Sequence, residues 1–320
     1  MDVRTPSSPP GGGATPRTAP ARPDAAPPAF RLQHPPGGVG RLVYASPHAG
    51  RHYPADLAAR LDTASLRRLE DAHVDQLVAE APDRGATLIC GLYGRAYADL
   101  NRDPLEFDPA MFAEPLPPEA RVRTARVAAG LGVIARYAAG GREIYGRKLS
   151  LREAEARIAA VHAPYHRALA EALCDARAAT GAAILIDWHS MPSPAAAPGL
   201  LAGAAAPGRR APDVVLGDRH GAACAPALTA WMEARLTAAG FQVARNHPYA
   251  GGWTTETYGR PQEGLHALQV EIGRALYLDE TRLVPGPGFP RLKRLIGRLT
   301  EELAAAAADL VPALPAEAPP

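Results

Sequence analysis

Cysteine is scarce in this 320-residue chain, and the few cysteines are not clustered. Cys90, Cys174 and Cys224 stand far apart and form no Cys-x-x-Cys pair. This spacing excludes both a disulfide framework and a zinc site built from thiolates. Net charge is also nearly absent, because 35 Lys and Arg residues are balanced by 33 Asp and Glu residues. We therefore expect neither nucleic acid nor an anionic membrane as a partner.

Long apolar runs are missing as well. No run reaches the roughly 18–20 residues that a membrane-spanning helix needs. The first residues, Met1-Asp2-Val3-Arg4, lack the charged-then-apolar order of a secretory signal. These features favour a soluble protein of a reducing, cytoplasmic compartment. What is present is ordinary globular composition, with 47% apolar and 21% charged residues, and enough length to bury a substantial core.

Proline is distributed unevenly along the chain, and residues 1–40 hold ten of the 34 prolines. Few side chains in that region could offset the entropy lost on ordering. We therefore predict a disordered tail over residues 1–38 and a short flexible tail over residues 312–320. Residues 39–311 are predicted to form one domain.

Segments typical of strands and helices alternate within this domain. Apolar runs predict strands at 41–46, 85–92, 182–188, 214–216, 242–245 and 267–272. Helical periodicity predicts helices at 65–81, 151–180 (interrupted at Pro164), 222–239 and 291–308. Such alternation predicts an α/β fold, in which helices flank an open, mainly parallel central sheet.

Polar residues follow several of the predicted strands. His48 comes directly after the first strand and His189 after the strand at 182–188. In open α/β sheets, ligands bind beyond the carboxyl ends of the strands. Catalytic zinc is often held by two histidines and one carboxylate. His48 and His189 are therefore candidate metal ligands, with a hydrogen-bonded structural role as the alternative.

The identity of the carboxylate that would complete a metal site with the two histidines is undecided at this point. Asp71 and Asp75 are four residues apart on the predicted helix 65–81, so they share one face, although both could be plain surface acids. Glu271 is flanked by apolar strand residues, and a buried acid is costly unless it is paired. It is either ion-paired, for example with Arg274, or a general base that faces an activated water.

Two further histidine pairs and one loop are ambiguous. His48 and His52 are four residues apart in a loop that contains a proline. His162 and His166 are also four apart, but no Glu occupies the zinc-protease position, so a packing or pocket role is preferred. The glycine-rich residues 249–255 form either a mobile loop near the substrate or a surface turn.

Nine short segments in this order resemble the N-formylglutamate amidohydrolase family, over residues 42–280. They are SPHAGRHYP (46–54), EDAHVDQL (70–77), GRAYADLNRDP (94–104), IYGRKLS (144–150), PYHRAL (164–169), DWHSMPS (187–193), VLGDRHG (215–221), NHPYAGGWTTETYG (246–259) and LQVEIGRALYLDE (268–280). The family resembles, at greater distance, zinc carboxypeptidases and aspartoacylases. The resemblance implies a zinc enzyme with an open α/β sheet.

The resemblance also implies roles for individual residues. It makes His48 and His189 the imidazole ligands of one zinc ion and Glu271 the general base. Arg95, in the segment Arg-x-x-x-Asp-Leu-Asn-Arg, becomes the cation that polarises the scissile carbonyl. The two residues at the end of that segment become the clamp for a substrate carboxylate; they are Asn101 and Arg102.

The chain departs from these relatives at two positions. Carboxypeptidase-type sites have a Glu three residues after the first His, where this chain has Arg51. The third ligand must come from elsewhere, and we expect Asp75 rather than Asp71. Trp188 stands where the family has Cys, which a strand tolerates because its side chains alternate between faces. Asp187 either orients a metal-binding side chain without itself contacting the metal or is a strand-end hydrogen-bonding group.

The function implied by the resemblance is hydrolysis of N-formyl-L-glutamate to formate and L-glutamate, a step of histidine degradation. The substrate is thus a small carboxylate. The alternatives are a related zinc deacylase for another N-acyl amino acid or a carboxylate-bearing peptide, and an inactive protein that only binds acidic amino-acid derivatives.

Overall fold

A seven-stranded sheet forms the centre of the computed structural model, which describes residues 26–193 and 211–313. In chain order its strands are β1 (Phe30–Gln33), β2 (Leu42–Ser46), β3 (Ala86–Gly91), β4 (Ala183–Met191), β5 (Val214–Gly217), β6 (Val243–Arg245) and β7 (Leu265–Gly273). Across the sheet they follow the order β1-β3-β2-β4-β7-β5-β6. The four strands β3, β2, β4 and β7 are parallel, whereas β1 and β5 pair antiparallel with β3 and β7. The predicted α/β fold with a mainly parallel sheet is confirmed.

Helices cover both faces of this sheet. They are α1 (Thr63–Arg67), α2 (Val74–Leu77), α3 (Ala125–Ala128), α4 (Leu151–Arg157), α5 (Ala163–Thr180), α6 (Pro226–Ala238), α7 (Trp253–Tyr258) and α8 (Phe289–Leu310). Two small ribbons pair Tyr137–Ala138 with Arg142–Glu143 and Leu278–Asp279 with Val284–Pro285. Helix α5 packs on one face of the sheet, and α6 and α8 pack on the other. Within the described ranges, no helix combines the length and apolarity that crossing a bilayer requires.

The alternation of side chains along β4 divides the core into these two layers. Leu185 packs in the layer of α5, whereas Ile186 and Trp188 pack in the layer of α8. The ring of Trp188 lies 5.5 Å from the ring of Tyr44 on the neighbouring strand. Because successive strand side chains point to opposite faces, the Trp188 indole projects away from the face that carries His189.

The predicted helix 65–81 is wrong over its middle part. Helix α1 ends at Arg67 and α2 begins only at Val74, and the residue before α2, His73, has a left-handed backbone with φ of 64°. The Asp71 amide donates to the His48 carbonyl at 3.0 Å. This tertiary hydrogen bond replaces the intrahelical one, so the chain turns toward the sheet between the two short helices.

The predicted 1–38 tail boundary is also wrong. Residues Phe30–Gln33 form β1, an edge strand whose Leu32 pairs with Ile89 of β3. Of the two predicted tails, residues 1–25 and 314–320 lie outside the described residues. In the long helical segment, the interruption expected near Pro164 is a π-helical turn at Ile158–His162 that joins α4 to α5.

Candidate active site

Two histidines and one aspartate meet at the carboxyl edge of the parallel strands. His48 follows β2, His189 lies near the end of β4, and Asp71 lies in the turn between α1 and α2. All three are buried, and their ligand atoms lie within 4.8 Å of one another. Asp71 Oδ2 is 3.0 Å from His189 Nδ1 and 3.4 Å from His48 Nδ1. Both rings therefore turn the same nitrogen, Nδ1, toward one carboxylate.

The acidic member of this group is Asp71, and not Asp75 as expected from the sequence. The side chain of Asp75 is 21% exposed and pairs with Arg51 at 3.0 Å. Asp71, in contrast, is 2% exposed. On a continuous helix the two acids would share a face, but the turn at residues 68–73 directs Asp71 inward. The expected choice of Asp75 failed because it depended on that helix.

The other nitrogen of each histidine ring, Nε2, contacts a second carboxylate. Asp99 Oδ1 lies 2.7 Å from His48 Nε2, and Asp187 Oδ2 lies 2.9 Å from His189 Nε2. Metal-binding histidines commonly donate their other ring nitrogen to a carboxylate, which fixes the tautomer and the ring orientation. The Asp99 contact is a hydrogen bond, whereas the Asp187 contact is an ion pair without hydrogen-bond geometry. In each ring Nδ1 is the nitrogen that faces Asp71.

The group fits a divalent cation. Among the described residues, the buried His48 Nδ1 has no hydrogen-bond partner, although buried polar atoms normally have one. Two imidazole nitrogens and a carboxylate oxygen are also the donor set of many catalytic zinc sites. Burial opposes the charge on Asp71, but the hydrogen bond from His189 and the proximity of His48 outweigh it and lower the pKa of Asp71 well below its usual value. The acid is thus an anion, as a metal ligand must be.

Glu271 lies next to this group on the neighbouring strand β7, directly opposite His189 in the register. Gln269 Nε2 donates to Glu271 Oε1 at 2.8 Å. The alternative ion pair with Arg274 is not formed, because Arg274 donates instead to Ser190 Oγ at 3.0 Å and to the Glu70 carbonyl at 2.7 Å. Burial raises the pKa of Glu271 to about 7, with nearby His189 acting in the opposite direction. A carboxylate with such a pKa is matched to proton transfer near neutral pH.

Arg95 stands on the other side of the histidines. Its Nε donates to Asp99 Oδ2 at 2.7 Å, so Asp99 joins Arg95 to His48. Burial works against the charge on Arg95, but Asp99 and Asp71 outweigh it and raise the pKa of the guanidinium. Arg95 is therefore a permanent cation at the wall of the site.

Asn101 and Arg102 also line the site, yet most of their polar atoms bind protein groups. Asn101 Oδ1 accepts from the Thr254 amide at 2.9 Å, and its Nδ2 is 3.1 Å from His189 Nε2. Arg102 donates from Nε to the Leu131 carbonyl at 2.9 Å and from Nη1 to the Asn101 carbonyl at 2.8 Å. Burial lowers the pKa of Arg102 to about 10, although Asp99 partly compensates. Arg102 remains a cation at neutral pH.

The histidine pair of α5 supports the segment that carries these two residues. The rings of His162 and His166 lie 4.3 Å apart, and both contact the indole of Trp253. Their Nε2 atoms donate to the carbonyls of Arg102 and Leu100 at 2.9 and 2.8 Å. Of the packing or pocket role expected for this pair, the structure shows packing, since the two bonds fix the backbone on either side of Asn101.

The His48–Asp71–His189 group, Glu271, Arg95, Asn101 and Arg102 line one cavity of about 800 Å³. The glycine-rich loop belongs to its wall, because residues 249–252 line the cavity and the Gly252 amide donates to Gln269 Oε1 at 2.7 Å. A Cβ at Gly252 would lie 2.2 Å from the Asn101 amide, so only glycine permits this approach. The alternative interpretation, in which residues 249–255 form a surface turn, is wrong.

Sequence reasoning missed several polar residues of this cavity, among them Gln269 and Arg126. Gln269 was detectable, because it lies two residues before Glu271 on the same strand and therefore on the same face. Arg126 gave no such signal, since it lies on the short helix α3 in a region with no predicted element.

Fold and site together define an α/β protein with a candidate metal centre of two histidines and one aspartate. The family model described as N-formylglutamate amidohydrolase matches residues 40–278. The chain therefore belongs to the N-formylglutamate amidohydrolase family.

Individual relatives agree with this assignment. The chain is 33% identical over 243 residues to an N-formylglutamate deformylase of Pseudomonas aeruginosa, covering 75% of this chain and 82% of that protein. It is 29% identical over 244 residues, with the same coverage, to an N-formylglutamate deformylase of Pseudomonas putida. Among solved structures, an N-formylglutamate amidohydrolase from Ralstonia eutropha JMP134 superposes with a TM-score of 0.82 at 37% identity, covering 88% of this chain and 99% of that one.

Proposed function

We propose that this protein hydrolyses N-formyl-L-glutamate to formate and L-glutamate. The observation that carries the proposal is the buried His48–Asp71–His189 group with Glu271 beside it, at the base of an arginine-lined cavity. An activated water and a base suit amide hydrolysis, and arginines suit a substrate with carboxylates. The names of the two Pseudomonas relatives support the same substrate.

His48, Asp71 and His189 would hold one divalent cation, for which zinc suits the donor set best. When bound, such a cation supplies Lewis-acid chemistry that activates water near neutral pH. Asp99 and Asp187 hold the two rings in place from behind, at 2.7 and 2.9 Å. The donor atoms are therefore preorganised by the protein.

Glu271 moves the proton in this mechanism. Its Oε1 accepts from Gln269, which leaves Oε2 to take a proton from the attacking water. The water oxygen then forms a bond to the formyl carbon, and the carbon–nitrogen bond breaks as Glu271 returns the proton to the departing nitrogen. One O–H bond is thereby exchanged for one N–H bond, which gives formic acid and the free amine. Formic acid then loses its remaining proton and the amine gains one, so the products at neutral pH are formate and the amino acid.

Two arginines position and stabilise the reacting molecule. Arg95 is charged and faces the cavity, so it donates to the carbonyl oxygen as negative charge develops there. Arg102, whose Nε and Nη1 are held by backbone carbonyls, presents its remaining nitrogen to the substrate carboxylate, with Asn101 beside it. A guanidinium fixed in this way orients the carboxylate as well as binding it.

The test is a comparison of N-formyl-, N-acetyl- and N-carbamoyl-L-glutamate as substrates of the metal-loaded protein, with glutamate release as the readout. We expect the N-formyl compound to be turned over fastest. The Glu271→Gln variant keeps shape but removes the base, so turnover should fall by about 100- to 10,000-fold while metal content stays normal. Preference for another acyl group would assign the protein to a different deacylase activity. Binding of all three without turnover would make it a binding protein.

A further inference from the structure

Five arginines line the cavity, and they differ in how their charge is compensated. They are Arg68, Arg95, Arg102, Arg126 and Arg274. Arg95 and Arg102 share Asp99, at 2.7 and 3.8 Å, and Arg274 reaches Asp71 at 3.3 Å. These three cations therefore belong to the network around the histidines.

Among the described residues, neither the exposed Arg68 nor the half-buried Arg126 has a carboxylate partner, and Arg126 is the more enclosed of the two. Within residues 26–193 and 211–313, no carboxylate lies within ion-pair distance of its guanidinium. Its side-chain contact is a long hydrogen bond of 3.4 Å from Nη2 to the Gly251 carbonyl. It lies close enough to Arg102 that the repulsion between them contributes to the lowered pKa of Arg102. Two cations that line one cavity repel each other, and an anion bound between them relieves that repulsion.

The backbone that carries Arg126 is fixed. Its carbonyl accepts from the Leu131 amide at 2.8 Å, and the Gly130 amide donates to the Val127 carbonyl at 2.8 Å, which closes the end of α3. Gly130 has φ of 72°, and a Cβ there would lie 2.3 Å from the Tyr137 ring. The carbonyl of Leu131 in turn accepts from Arg102 Nε. One rigid turn therefore sets the separation of the two guanidinium groups.

We propose that Arg126 binds the side-chain carboxylate of the substrate and so selects an acidic side chain. The inference rests on the proposed function and deepens it, because N-formyl-L-glutamate carries two carboxylates. The α-carboxylate is bonded to the carbon that bears the reacting nitrogen, so it belongs with Arg102, whose neighbour Asn101 lies 3.1 Å from His189. The carbon of the γ-carboxylate lies four bonds from the reacting nitrogen, two more than the carbon of the α-carboxylate, so it reaches Arg126, whose contact is the Gly251 carbonyl rather than the network around the histidines.

The experiment compares N-formyl-L-glutamate with N-formyl-L-glutamine, which has the same shape but no side-chain charge. Arg126→Gln should raise KM for N-formyl-L-glutamate by about 10- to 100-fold, the loss expected for a charged hydrogen bond. It should leave kcat/KM for N-formyl-L-glutamine within about threefold. The matched control is Arg123→Gln, an exposed arginine of the same segment outside the cavity lining, which should change neither substrate.

A binding measurement separates this inference from the proposed function. L-Glutamate and L-glutamine are titrated calorimetrically into the wild type and the Arg126→Gln variant, both with normal metal content. Loss of the preference for glutamate in the variant supports the role of Arg126, even if the wild type does not turn over the formyl compound. The inference is overturned if the wild type has no preference for the acidic side chain, or if Arg126→Gln retains the preference in full.

Discussion

At the scale of single residues, the protonation of His189 decides how the site takes up a cation. Burial disfavours a charged ring, but Asp187 and Asp71 outweigh it and raise the pKa of His189 well above its usual value. The metal-free protein therefore carries a proton on this imidazole at neutral pH. A cation and that proton compete for the same nitrogen, because Nδ1 is the atom that faces Asp71.

We expect zinc binding to release about one proton at pH 7 and zinc affinity to rise by roughly tenfold per pH unit below the pKa of His189. Zinc affinity rises with pH because a higher pH removes the competing proton from His189, whose pKa is raised. Calorimetric titration with zinc in buffers of different ionisation enthalpy measures the proton count. Asp187→Asn is the control, because loss of that charge lowers the pKa of His189 and reduces the proton release. Binding that is independent of pH between 6 and 8 would contradict this account.

At the scale of elements, the turn between α1 and α2 determines which acid joins the histidines. We expect Asp71→Ala to lower metal affinity by at least about 100-fold, because it removes a ligand atom. Asp75→Ala is the matched change four residues away and should alter affinity by less than about twofold. Its lost contact with Arg51 is a partly exposed ion pair, worth about 0–1 kcal/mol. Metal content after dialysis, measured by elemental analysis, checks both variants, and a larger loss in Asp75→Ala would reverse the assignment.

The same elements show what the sequence was able to predict. The central strands were predictable because buried parallel strands are continuous apolar runs, and their carboxyl ends necessarily meet at one edge. That rule alone was enough to bring together His48, His189 and Glu271. The turn that carries Asp71 was not predictable, because it depends on a hydrogen bond to His48 from a residue 23 positions away and on the left-handed backbone of His73. Local periodicity contains no information about either.

At the scale of the whole molecule, a nearly neutral chain gathers charges of both signs around one cavity. The acids Asp71, Asp99 and Asp187 surround the histidines, and five arginines line the same cavity. Three of these arginines are paired with the acids, which leaves Arg126 available to an anionic substrate group. The net charge of +2 therefore gives no indication of the charged groups in the cavity, which are the ones that matter for recognition of a substrate.

The last prediction concerns the contribution of the edge strand β1 to the stability of the protein. Strand β1 lies in the region expected to be a tail, but it pairs with β3 along four residues, and the Phe30 ring contacts Tyr165 of α5 at 6.4 Å. Removing residues 1–36 deletes this strand and uncovers the edge of β3. The lost hydrogen bonds and apolar contacts should cost about 2–4 kcal/mol, or roughly 5–10 °C in Tm for a domain of this size.

A truncation that removes only residues 1–25 keeps β1 and is the matched control, so the difference between the two truncations isolates the strand. Thermal unfolding followed by circular dichroism measures it. Turnover per folded molecule should stay within about threefold of the full chain in both, because β3 and β2 separate β1 from the strands that carry His189 and Glu271. Equal melting temperatures for the two truncations would show that the strand contributes nothing to stability. A turnover defect in the longer truncation at a temperature where it is fully folded would instead show that the edge strand positions the site through β3 and β2.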